Sequence, residues 1–181
     1  GVEVWISENY HYNQGPGLVS KCGNNGWKER TRSISLTVST TSSQLKLEVK
    51  STLSEGLTNE GFAIDNVKVT GSVTRLNRGW VVETIADHNF EDGDQHGWTC
   101  GGNPSACGGF TKLCGGYGKR GKNENIEQTF SVVPGSAYNI DFDVYAIDSW
   151  DGEYAYAHIN DVEVYKSGKV YKAGTKECGV G

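Results

Sequence analysis

Three carboxylates stand within six residues in the stretch Ile147-Asp148-Ser149-Trp150-Asp151-Gly152-Glu153. Two chemistries use acids crowded in this way. A glycoside hydrolase needs one carboxyl held protonated and another ionised, in a cleft that grips the sugar. No apolar pocket is readable around this turn, so an enzyme is not expected. Hard oxygen ligands on a glycine turn suit a structural Ca²⁺ better, which makes Asp148, Asp151 and Glu153 one candidate calcium set. Trp150 offers a ring that could stack on a sugar face, and Tyr10 and Tyr12, in the polar run Glu8 to Asn13, are further candidate glycan contacts.

A second acidic run, Asp87-His88-Asn89-Phe90-Glu91-Asp92-Gly93-Asp94, comes close to an EF-hand loop and fails. Its glycine falls one place late, and Trp98 stands where a bidentate Glu is required. The histidines His11, His88, His96 and His158 are scattered, and no G-x-S-x-G elbow is present. No Asn-x-Ser/Thr acceptor exists either, since Asn103-Pro104-Ser105 is excluded by its proline.

The chain has five cysteines, Cys22, Cys100, Cys107, Cys114 and Cys178. Zinc sites want pairs two to four residues apart, and none occurs, so disulfides are expected and the compartment is read as extracellular. An odd count leaves one thiol free or paired with another chain. The 181 residues carry a net charge of −5 and no basic run beyond Lys119, Arg120 and Lys122, which argues against nucleic acid. No apolar run approaches membrane-spanning length. Methionine is absent, even at position 1, which predicts a processed or excised piece.

The elements that must position these groups are strands. Tyr138, Ile140, Phe142, Val144 and Ala146 alternate with polar neighbours; so do Leu45, Leu47 and Val49, then Ile34, Leu36 and Val38, with Ile126, Phe130 and Val132 as a fourth face. Turn residues separate them, and residues 101–121 are glycine-rich. An all-β, antiparallel β-sandwich of the jelly-roll kind is expected. In Phe62-Ala63-Ile64-Asp65-Asn66-Val67-Lys68-Val69 the apolar parity slips by one residue, and the same slip in His158 to Val164 predicts bulges at Asp65-Asn66 and Asn160-Asp161.

The stretch from Ile126 to Tyr165, with its IDSWDGE turn, resembles extracellular jelly-roll modules of protist and algal surface and adhesive proteins, similar in architecture to carbohydrate-binding modules and MAM domains. By that resemblance the motifs are out of order. Residues 1–71, with Cys22-Gly23, Ser51-Thr52-Leu53 and Ile64-Asp65-Asn66-Val67, look like the back half of a module, and residues 72–181 like the front half. The overlap is written twice: Gly1-Val2-Glu3-Val4-Trp5 returns as Asp161-Val162-Glu163-Val164-Tyr165, and each copy is followed by a Cys-Gly. An array cut in mid-module, a permutant closed on itself and a subunit completed by its neighbour all give this layout. The resemblance also implies a calcium held by Glu91 and Asp65 with help from Asn89. The expected function is a structural repeat that joins other copies of itself head to tail into a fibre or sheath, with a calcium-stabilised carbohydrate-binding or adhesive module as the alternative.

Overall fold

The computed structural model describes residues 30–75, 79–108 and 110–168. Ten strands run in the order β1 (Arg30–Thr40), β2 (Gln44–Ser51), β3 (Glu60–Arg75), β4 (Gly79–His88), β5 (Ser105–Ala106), β6 (Lys112–Gly115), β7 (Asn125–Ser131), β8 (Ser136–Asp148), β9 (Ala155–Ile159) and β10 (Val162–Lys166), with no helix among the described residues. All pair antiparallel. One sheet has the order β1-β8-β3-β6-β5, with β4 also beside β3; the other has the order β10-β9-β2-β7. Long β3 is shared along one edge, its first half with β6 and its second half with β4, while β8 covers the other edge.

Two sheets form because each alternating strand has one apolar face that must leave water. Ile34, Leu36 and Val38, Phe62 and Ile64, and Tyr138, Ile140 and Phe142 of the first sheet meet Leu45, Leu47, Val49, Ile126, Ala157 and Ile159 of the second in one buried cluster. Strands of the two sequence halves interleave in both sheets: β8 lies between β1 and β3, and β2 lies between β7 and β9.

The slip in β3 is a bulge. Asp65 pairs with Asp143 and Lys68 with Asp141, so two residues of β3 oppose one of β8. Asn66 takes φ 52°, a left-handed value that Asn tolerates better than most residues, and its amide donates to Asp143 Oδ2 at 2.8 Å. The gain is on the inner face: without the extra residue Val67 and Val69 would point to solvent, at a cost of about 1.5–3 kcal/mol each. Both are fully buried instead. The slip at Asn160-Asp161 has a different cause. Val162 pairs directly with Ile159, so these two residues, at φ 47° and 67°, are the whole loop of a β9–β10 hairpin, with the positive angles of a type I′ turn rather than a bulge.

The glycine-rich segment is more than turns. It folds back over the outer face of the first sheet, where Ala63, Leu113, Tyr145 and Ile147 form a second small core with Cys107, Phe110 and Tyr117 packed against it. Gly115 sits at φ +94° opposite Ala63, and a Cβ there would lie 2.6 Å from the Phe62 carbonyl oxygen, so only glycine lets β6 approach this closely. A disulfide joins Cys100 to Cys114 at the base of this segment, where both cysteines belong to the main core.

Candidate functional site

The acids foreseen in the IDSWDGE turn are divided by the fold. Asp148 ends β8 at φ 66° and is fully buried opposite Glu60, the first residue of β3. Trp150 is a core residue: it has no exposed surface, and its indole N–H donates to the Gly61 carbonyl at 2.8 Å. The expected sugar contact is thereby corrected, because no face of this ring is open to a ligand. Anchoring the indole turns the chain so that Asp151 comes out to the surface while Glu153, 7% exposed, points back in.

Glu60 completes the cluster. One carboxylate oxygen from each of Glu60, Asp151 and Glu153 lies within 4.8 Å of the others, so the three together could hold a metal ion. Two loops hold them in place. The β2–β3 loop caps Glu60, whose Oε2 accepts the backbone N–H groups of Ser54 at 3.0 Å and Glu55 at 2.9 Å. In the β8–β9 loop, Glu153 Oε2 accepts the Asp151 N–H at 2.5 Å, and Ser149 donates through both its N–H and its hydroxyl to the Asn59 carbonyl across the gap. Thr52 and Tyr154 exchange two more bonds between the same loops, at 3.0 and 2.9 Å.

The electrostatics are those of acids short of positive charge. Burial raises the Glu60 carboxyl above its ordinary value, the charges of Glu153 and Glu55 push it the same way, and the amides of Glu55 and Ser54 only partly oppose them. Glu153 is also raised, by burial first; the Asp151 N–H opposes the shift and the Asp151 carboxyl adds to it. Glu60 Oε1 is buried without a hydrogen-bond partner. All the ligand atoms are carboxylate oxygens, with no thiolate or imidazole among them, which selects a hard cation over zinc or copper.

The other expected calcium set meets a different environment. Asp65 is 1% exposed beneath the glycine-rich cover; its Oδ1 accepts the Asn66 N–H at 2.7 Å, and its Oδ2 accepts the Thr111 hydroxyl at 3.0 Å. Burial raises it to about 6, with Asp143 and Glu91 adding to the shift. Exposed Glu91 accepts the Lys112 N–H on Oε1 at 2.8 Å, and its carbonyl accepts the Lys112 ammonium at 2.7 Å. The Asn89 side chain is spent on the Glu91 N–H, at 3.2 Å. Adjacent residues Thr111 and Lys112 thus supply donors to both acids.

Glu60 carries no motif in the sequence and lies about 90 positions from Asp151. One signal was there: it shares the parity of Phe62 and Ile64, so the alternation of β3 already turns it inward. On the outer face of the second sheet, half-buried Tyr154, Tyr156 and His158 form an aromatic row, with the Lys166 ammonium 4.5 Å from the Tyr154 ring centre. Tyr10, Tyr12, Cys22 and Cys178 lie outside the described residues.

None of Cys100, Cys107 and Cys114 is a free thiol. A disulfide is the mark of an oxidising compartment, and among the described residues no helix is long and apolar enough to cross a membrane. No protein-family model matches the chain, and no curated protein matches it.

Proposed function

We propose that this chain is the repeat unit of an extracellular structural protein, a jelly-roll-type sandwich that joins other copies head to tail into a fibre or surface sheath. The observation that carries the reading is the position of the repeated strand. Its second copy, Val162 to Tyr165, lies in β10, an edge strand with β9 on one side and no other strand beside it among the described residues. The first copy, Val2 to Trp5, repeats the same alternation in sequence and is the candidate to add a strand there. Because the two sequence halves already pair within one chain, the joint between copies falls to this spare strand. An added strand gains main-chain hydrogen bonds, and a head-to-tail contact that does not close grows into a filament. The odd cysteine of Cys22 and Cys178 is the candidate for a bond across the joint.

The native mass of unreduced material tests this. Multiples of 19.6 kDa that fall to a single chain when residues 1–5 are deleted support it. A closed monomer at high concentration overturns it.

The aromatic row favours a second reading, a carbohydrate-binding or adhesive module, since tyrosine faces can stack on C–H-rich sugar faces. Polysaccharide pull-down lost in Tyr156→Ala supports that reading, and failure to retain any polysaccharide counts against it. In both readings calcium enters as a structural ion, carried by Glu60, Asp151 and Glu153.

A further inference from the structure

We propose that a single calcium ion bound by Glu60, Asp151 and Glu153 clamps the β2–β3 loop to the β8–β9 loop, and so ties the first sequence half of the sandwich to the second. The inference rests on reading calcium as a structural ion and extends it to what the ion joins.

The geometry leaves room for a cation from outside. Glu60 is fully buried, and Oε2 is occupied by two amides; Oε1 is the oxygen left over, with no donor in reach. The charges that act on it most are those of acids, Glu153 and Glu55. Among the described residues no lysine, arginine or histidine forms an ion pair with Glu60, Asp151 or Glu153. A carboxylate buried beside like charges is costly unless something positive joins it. The cluster reaches solvent through Asp151, which is exposed, while Glu153 and Glu60 are buried.

Ligand chemistry sets the ion class. Oxygen ligands within 4.8 Å of one another can share one ion with bonds of about 2.3–2.6 Å, the calcium range, and several carboxylates in one shell raise its affinity. Magnesium keeps most of its water and demands tight octahedral geometry, which three carboxylates on two separate loops are poorly built to give. The consequence follows from where the ligands come from. Glu60 enters from the strand that begins the last part of the first half, Asp151 and Glu153 from the turn that follows β8 in the second. The protein bonds already spanning this seam are hydrogen bonds: Ser149 to the Asn59 carbonyl and, at 3.5 Å, to the Glu55 carboxylate, and Thr52 with Tyr154. A divalent ion would add an ionic link between these two loops, which no ion pair joins among the described residues.

The test uses the full chain, with Ca²⁺ alone as the probe. Calorimetric titration after chelator treatment should give one ion per chain, with affinity lowered by about tenfold or more in Asp151→Asn and in Glu153→Gln, since charge count sets calcium affinity. Asp151 is exposed, so Asp151→Asn should fold and melt as the parent does in chelator, which separates lost binding from lost folding. Hydrogen exchange should then slow on calcium addition at amides 54–60 and 149–154 together. Absence of binding by folded protein at millimolar Ca²⁺ overturns the site, and so does binding that survives both variants but disappears in Glu91→Gln. Binding with protection confined to 149–154 overturns the clamp while leaving the structural-ion reading in place.

Discussion

Two of the molecule's buried acids sit under nearly the same conditions, and it treats them differently. Glu60 and Asp65 lie five residues apart on β3, both almost without exposed surface and both raised by burial and by neighbouring acids. Asp65 faces the outer side, where the cover supplies Thr111 and, for its neighbour Glu91, Lys112. Glu60 faces inward at the end of the sandwich, where the loops supply two amides to one oxygen and nothing to the other. A cluster of carboxylates is therefore a poor guide by itself. What separates a self-satisfied acid from a candidate cation site is whether the chain has brought its own donors.

The largest break in this comparison should come from Trp150→Ala. The indole fills the core and pins the β8–β9 loop through Gly61, so its removal is expected to cost about 3–5 kcal/mol in urea denaturation and to abolish calcium binding as Asp151 and Glu153 lose their places. The Asp65 side should be untouched, with its pH dependence intact. Removing the disulfide by Cys100→Ser with Cys114→Ser acts on the opposite region. A bond closing a separation of 14 residues is worth about 3 kcal/mol, and its loss should loosen the cover over Asp65 while calcium affinity stays at the parent value. If both variants weaken calcium binding equally, the two regions are not independent.

Much of this was open to reading in the sequence, for a physical reason. Alternation with period two records which side chains leave water, and the faces of β1, β2, β7 and β8 follow it closely. The bulge at Asp65-Asn66 was visible as a parity slip because the core insists on Val67 and Val69. The same slip at Asn160-Asp161 misled, since a two-residue hairpin also shifts parity; short strands on either side of an Asn-Asp pair were the clue to the turn. Trp150 was misplaced because an aromatic next to acids looks the same whether it is pinned inside or offered outside. The small outer core was invisible, since glycine-rich segments with isolated Leu113 and Phe110 carry no period. Glu60 and Thr111 act across long separations, and pattern within a window cannot reach them.

Asp65 gives the next prediction, through pH. Its folded value, about 6, lies above the ordinary 3.8, so the protonated form is the one that folding favours. The stability it contributes is therefore fully present below about pH 4 and is lost as pH rises through 6. The difference corresponds to at most about 3 kcal/mol. Asp65→Asn removes that slope, and denaturation measured from pH 4 to pH 8 should show the variant gaining on the parent as pH rises. Calcium should stabilise both proteins alike. A loss of calcium stabilisation in Asp65→Asn would move the ion to the Glu91 side and reverse the comparison.

The smallest effect is also the most direct probe of the donors themselves. Thr111→Val deletes the hydroxyl that bonds Asp65 Oδ2 and keeps the shape of the side chain. At pH 8, where Asp65 is ionised, the bond runs to a charged acceptor, and its removal should cost about 1 kcal/mol, because Thr111 is exposed and water can replace part of what it gave. At pH 4 the carboxyl is neutral and the cost should shrink. In an Asp65→Asn background it should shrink at every pH, so the double-mutant cycle isolates the hydroxyl–carboxylate contact from packing. A loss that is the same at both pH values and in both backgrounds would mean that Thr111 acts by shape alone. Asp65 would then be as poorly served as Glu60, and the difference between the two acids would have to come from the depth of the site rather than from its donors.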